Sequence, residues 1–138
     1  PGMLVNQLLN TGFPSLNIAD KASFALQLMD DYDVLHLPVL SQDKFVGVVA
    51  KDDLLDDEEA AIHLSSPNIL HKYSVKSEEH FLSALKLIAQ FDLSLLPVIN
   101  DQTELVGVIL SKDLVKAVSL FLGIDEKGAV IVYLLSLG

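Results

Sequence analysis

Asp53 and Asp113 stand in the same local setting at two places in the chain. Each follows a β-branched Val-Gly-Val stretch, Val46-Gly47-Val48 or Val106-Gly107-Val108, and each has a lysine nearby, Lys51 or Lys112. A strand feeding directly into a helix leaves first-turn backbone N–H groups unpaired, and together with the helix dipole these favour an anion such as a phosphate. A carboxylate one turn inside can accept hydrogen bonds from both hydroxyls of a ribose. Lys51, Lys112 and Ser111 are then the candidate phosphate partners. The same spacing also fits ordinary first-turn acids, which stabilise the dipole by roughly a few tenths of a kcal/mol.

Other chemistry is not visible. There is no Gly-rich phosphate loop, no nucleophile-elbow pattern and no histidine pair at metal-ligand spacing. His36, His63, His71 and His80 are scattered and read as structural or surface residues. The acidic run from Asp52 to Glu59 lacks the alternating ligands and glycine of a calcium loop, so it reads as a solvated helix face. Zero cysteines exclude disulfides, thiolate catalysis and Cys-ligated zinc. No catalytic residue, metal site or required cofactor is expected.

The elements that must position the two acids are written twice. Ser15, Ala25, Leu26, Leu28, Asp33, Leu37, Pro38 and Val39 recur 59 residues later as Ser74, Ala84, Leu85, Leu87, Asp92, Leu96, Pro97 and Val98. Beyond one added residue in the second hairpin loop, Val46, Gly47, Val48, Asp53 and Leu54 recur at 60. Such a repeat means two copies of one unit. Within each copy the pattern predicts strand, helix, strand, hairpin, strand and closing helix.

In the first copy Asp20 is the expected N-cap, with Ala22, Ala25, Leu26 and Met29 on one helical stripe. Val34–Leu40 and Phe45–Ala50 are the hairpin strands, and a helix is expected from Lys51 through Leu55 into Glu59. In the second copy Phe81, Ala84, Leu85 and Ile88 form the stripe, Leu93–Asn100 and Glu104–Leu110 the hairpin, and Ser111–Leu122 the closing helix. Leu4 to Leu9 predict a short lead-in helix. A unit of this size is marginal alone, so the two copies are expected to share their apolar faces.

A hydrophobic content of 51% rules out disorder, yet no apolar run approaches the length needed to cross a bilayer, so no membrane insertion is expected. Nine basic residues, all lysine, against nineteen acidic ones leave a net charge of −10. That balance disfavours nucleic acid and anionic lipid. No signal sequence is visible, and a cytoplasmic location is expected.

The Leu-Pro-Val, Val-Gly-Val and Asp-Leu elements, at matching spacing in both halves, resemble tandem cystathionine β-synthase (CBS) domains, the pair called a Bateman module. The resemblance covers roughly Leu4 to Leu122. It implies an α/β (α+β) fold in which two β-α-β-β-α units, related by a pseudo-twofold axis, pack sheet to sheet with clefts between them. It also implies a non-catalytic regulatory module that binds an adenosine-containing ligand: AMP, ADP, ATP or S-adenosylmethionine. In that family a Thr or Ser three residues after the glycine and an Asp three further on grip the ribose. Asp53 and Asp113 match the acid, whereas the hydroxyl position carries Ala50 and Leu110, with Ser111 one place along. Adenine is expected near Leu16 and Val75, and against His36-Leu37-Pro38 or Leu95-Leu96-Pro97.

The domain reading is residues 1–66 for the first unit with its lead-in and linker, 67–124 for the second, and 125–138 for a strand-like tail. The last segment, Lys127 to Gly138, looks like the first strand of something further, and some proteins of the family it resembles continue from a CBS pair into an ACT-like domain. Surplus apolar residues on the closing helix, Leu114, Val118 and Phe121, predict a homodimer. The alternative function is a structural dimerisation module without a small-molecule ligand.

Overall fold

The computed structural model of the chain describes residues 4–64 and 67–123. The tail at 125–138 and the Ser65-Ser66 part of the linker lie outside the described residues. Two three-stranded sheets carry the repeat. The first is β1 (Leu16–Asn17), β2 (His36–Ser41) and β3 (Lys44–Ala50), and the second is β4 (Val75–Lys76), β5 (Leu95–Ile99) and β6 (Leu105–Leu110). In each, the short first strand lies parallel to the central one, which pairs antiparallel with the third. Helices α1 (Ala22–Tyr32) and α2 (Phe81–Phe91) connect the parallel strands, and α3 (Ser111–Leu122) follows β6. Both connecting helices stop on an aspartate in the left-handed region, Asp33 at φ 54° and Asp92 at φ 52°. Aspartate tolerates that conformation better than most residues.

Alternation along the strands decides what each side chain meets. In the second sheet Leu96, Val98 and Ile109 join the core under α2 and α3, together with Leu114 and Val118. Their neighbours Leu95, Val108 and Leu110 point the other way and join the first unit's core with Leu16, Leu37, Val39, Val49 and Leu54. The two units are thus packed sheet to sheet. Leu114 and Val118, read from sequence as surplus for a dimer, are already committed to this core.

Two expected helices are not formed. The stretch after Lys51 makes only a 3₁₀ turn, Lys51–Leu54. Four acids in succession, Asp56 to Glu59, would repel one another and the negative end of a helix. The acidic segment instead folds back onto the start of α1, where the Ala60 and Glu58 carbonyls accept the Ala22 and Ser23 N–H groups (2.9 and 2.7 Å). That also explains why Asp20 is not the N-cap. Lys21 holds that position, and the Asp20 carboxylate accepts the Asn17 N–H at 2.8 Å.

The lead-in is likewise a 3₁₀ turn, Val5–Leu8, and it belongs to the far unit. Val5 is fully buried in the second core, and Asn10 exchanges both backbone hydrogen bonds with Val108 (2.8 and 3.0 Å). The segment preceding β4 does the reciprocal thing: His71 exchanges both with Val48 (2.7 and 2.9 Å). Each unit therefore lends the residues ahead of its first strand to the other unit's hairpin. Gly47 and Gly107 sit beside Val48 and Val108, where the crossing backbone comes closest.

Candidate functional site

The two strand-to-helix junctions differ in what surrounds them. Asp53, on the turn after β3, places Oδ2 3.4 Å from Nε2 of His71, a residue of the second unit's crossing segment. The His71 ring stacks on Tyr73 with centroids 5.5 Å apart, and Tyr73 stacks on Phe91 at 4.5 Å. An acid of one unit thus faces an aromatic column of the other. Both side chains are partly open to solvent, so the contact contributes little to stability.

His36 closes the side of this junction. It pairs across the ladder with Ala50, and in an antiparallel pair directly opposite residues project to the same face. Its Nδ1 lies 2.7 Å from Ser94 Oγ and 3.1 Å from Ser94 N, while the Leu35 N–H donates to Ser94 Oγ at 3.0 Å. Nδ1 accepts from the Ser94 N–H and hydroxyl, which places the ring hydrogen of the neutral imidazole on Nε2. Burial lowers the His36 pKa below its usual 6.5, against the pull of the Asp92, Asp53 and Asp52 carboxylates and with the help of nearby His71.

A base whose folded pKa is depressed adds stability that is complete above its unfolded pKa and is lost as pH falls through the folded value. Urea melts from pH 8 to pH 5 should therefore show wild-type stability declining below about 6.5, with a flatter profile for His36→Gln. Parallel profiles for the two proteins would contradict this role for His36.

At the other junction Asp113 is exposed in the first turn of α3 and makes no hydrogen bond or ion pair among the described residues. The ladder pair corresponding to His36 and Ala50 is Leu95 and Leu110, apolar and buried. Of the aromatic column, Phe91 alone has an aromatic counterpart at the repeat spacing, Tyr32, which meets Phe13 edge to face at 5.3 Å.

The remaining sequence candidates fall into two groups. Lys51, Lys112 and Ser111 are at the junctions with the lysines exposed, but the Lys51 and Ser111 amides already donate to Leu35 and Ser94 carbonyls (2.9 and 3.0 Å). Leu16, Leu37, Leu96 and Val75 direct their side chains into the cores, and Leu95, Pro38 and Pro97 are buried between the sheets. Residues that sequence reasoning missed are His71, Tyr73, Phe91 and Ser94. The repeat itself held one clue, because Phe91 falls 59 residues after Tyr32, an aromatic at the same place in both copies.

The CBS domain family profile matches residues 5–59 and 63–120, one copy over each sheet. The chain belongs to the CBS domain family. It is a tandem CBS pair, a Bateman module, and CBS pairs of this kind are regulatory modules. A CBS domain pair/ACT domain protein from Thermotoga maritima is 26% identical and superposes with a TM-score of 0.74, covering 84% of this chain and 96% of that one. The structure of CBSX2 in complex with AMP is 21% identical, with a TM-score of 0.72 over 87% of this chain and 98% of that one. Homoserine O-acetyltransferase of Methanobrevibacter ruminantium is 30% identical over 121 residues, which are 84% of this chain and 24% of that enzyme. The CBS pair spans only about a fifth to a quarter of the curated relatives it matches, and it is their CBS part that it matches. Among the described residues no helix is long and apolar enough to cross a membrane.

Proposed function

We propose that this CBS pair is a sensor that binds an adenosine-containing ligand, such as AMP, ADP, ATP or S-adenosylmethionine, in the cleft between its units. The observation that carries the proposal is the Asp53 carboxylate of one unit facing the His71–Tyr73–Phe91 column of the other. A carboxylate suits paired ribose hydroxyls, and flat aromatic rings suit a purine face. A ligand bridging both units couples their relative position to its own concentration, which is how a small molecule regulates whatever the module is attached to. CBSX2, whose structure is a complex with AMP, shares the fold of this chain. With a net charge of −10, adenosine, AMP or S-adenosylmethionine should bind better than ATP without magnesium.

Asp53→Ala is expected to weaken binding about tenfold to a hundredfold, the effect of losing charge-assisted hydrogen bonds worth about 1.5–3 kcal/mol. Calorimetry with AMP reads this directly. Unchanged affinity in both Asp53→Ala and Asp113→Ala would eliminate the junctions as the site.

A second reading, a dimerisation module without ligand, draws on the apolar side chains left exposed on the helices: Phe24 on α1, Leu82 on α2 and Leu120 on α3. Homodimer formation belongs to both readings. Light scattering at tens of micromolar should give a particle twice the 15.0 kDa chain mass, and a monomer would remove the dimer from both.

A further inference from the structure

The two strand-to-helix junctions of this pair are not equivalent, although the sequence repeats their acids. At the first junction His36 occupies the ladder position across from Ala50, half-buried, with Nδ1 held by Ser94 of the other unit. Its Nε2 has no protein partner among the described residues, and it is not sealed from solvent. Since the backbone N–H of Ser94 can only donate, Nδ1 must accept and Nε2 must carry the hydrogen. The result is a neutral donor of fixed direction at a junction whose acid, Asp53, can only accept. At the second junction the same ladder position joins Leu95 to Leu110, both buried, and offers no donor or acceptor.

We infer that the chain binds one ligand rather than two, at the Asp53 junction, and that His36 Nε2–H is the donor that completes this site while the Asp113 junction is blind. Asp53 takes hydrogens from the ligand's hydroxyls, and His36 gives one to an oxygen beside them. At the second junction a ligand oxygen buried against the same ladder position would face two leucines in place of a donor, and Ser111 and Lys112 lie beyond that position at the start of α3. This inference rests on the adenosine-ligand reading above.

Calorimetry on the whole chain tests it, with adenosine and AMP titrated in parallel. The wild type should show one site per chain. His36→Leu, which gives the first junction the residue type of the second, should weaken binding about threefold to tenfold. His36→Gln, which keeps an N–H donor at similar reach, should stay within about twofold of the wild type. Equal losses for adenosine and AMP in His36→Leu place the acceptor on the ribose, and a larger loss for AMP places it on the phosphate; both support the assignment. Circular dichroism melts confirm that each variant is folded. Two sites per chain, or binding that Asp113→Asn abolishes and Asp53→Asn spares, would overturn the one-cleft inference while leaving the ligand reading intact. Equal weakening by His36→Gln and His36→Leu would overturn the donor role. No heat with any adenine compound would overturn the ligand reading and this inference with it.

Discussion

Replacing Gly107 by valine is expected to destabilise the protein by about 3 kcal/mol or more and to release the lead-in segment from the second unit. A Cβ at Gly107 would lie 2.6 Å from the Asn10 carbonyl oxygen, 2.8 Å from Leu9 Cδ1 and 3.1 Å from the Asn10 carbonyl carbon. The nearest atom is backbone, and it belongs to the residue that exchanges both hydrogen bonds with Val108. It cannot retreat without giving up that pairing. Overpacking a filled site costs about 1–3 kcal/mol, and displacement of the segment would also expose Val5, whose burial is worth about 1.5–3 kcal/mol. Urea denaturation gives the total, and hydrogen exchange over residues 4–10 locates it. Gly12→Ala is the control, because its Cβ would meet nothing closer than Asn10 Oδ1 at 4.0 Å. A Gly107→Val protein with an unchanged midpoint would mean that the crossing segment is not part of the stable fold.

Leu95→Ala is the second large effect, with an expected cost of about 2–5 kcal/mol, the usual range for truncating a buried leucine. Leu95 lies on the second unit's central strand, yet its fully buried side chain belongs to the first unit's core. The cavity would therefore open between the sheets, in the surface through which the units stabilise each other. Both units should lose protection against hydrogen exchange together. Leu96→Ala removes the same atoms one residue later, but within the second unit's own core, and its effect should be strongest in α2 and α3. Local loss confined to the second unit in Leu95→Ala would show that the sheets do not depend on each other.

The crossing segments also account for a feature that is plain in the sequence but has no cause there. Val-Gly-Val is written at both hairpins, and strand propensity alone gives no reason for a glycine in the middle of a strand, where it weakens the ladder. The structure supplies one at each copy. A Cβ at Gly47 would approach Leu70 Cβ to 3.0 Å, and its φ of +151° already disfavours a side chain. Each glycine marks where backbone of the other unit passes.

Much of this protein could be read from residue order alone. The repeat, the two hairpins, α3 over Ser111–Leu122, the apolar stripes of α1 and α2, and the duplicated acids all follow from periodicities spanning a few residues. Those periodicities are set by backbone geometry, and a small mixed sheet with its helices in each copy follows from them. What tertiary structure alone decided lies between segments far apart in the chain. Lys51 to Glu59 has helical composition, but the carbonyls of its acidic end are drawn to the free amides of α1. Leu4 to Leu9 has helical spacing, but Val5 gains more by entering the second core. His71, Tyr73 and Phe91 look unrelated until the exchange of leading segments stacks them opposite Asp53. His36 looks like an isolated histidine until the sheets meet and Ser94 fixes its tautomer. In each case the deciding contact joins residues far apart in the chain, within the first unit for the acidic segment and across the two units for the others, and no local periodicity encodes that approach.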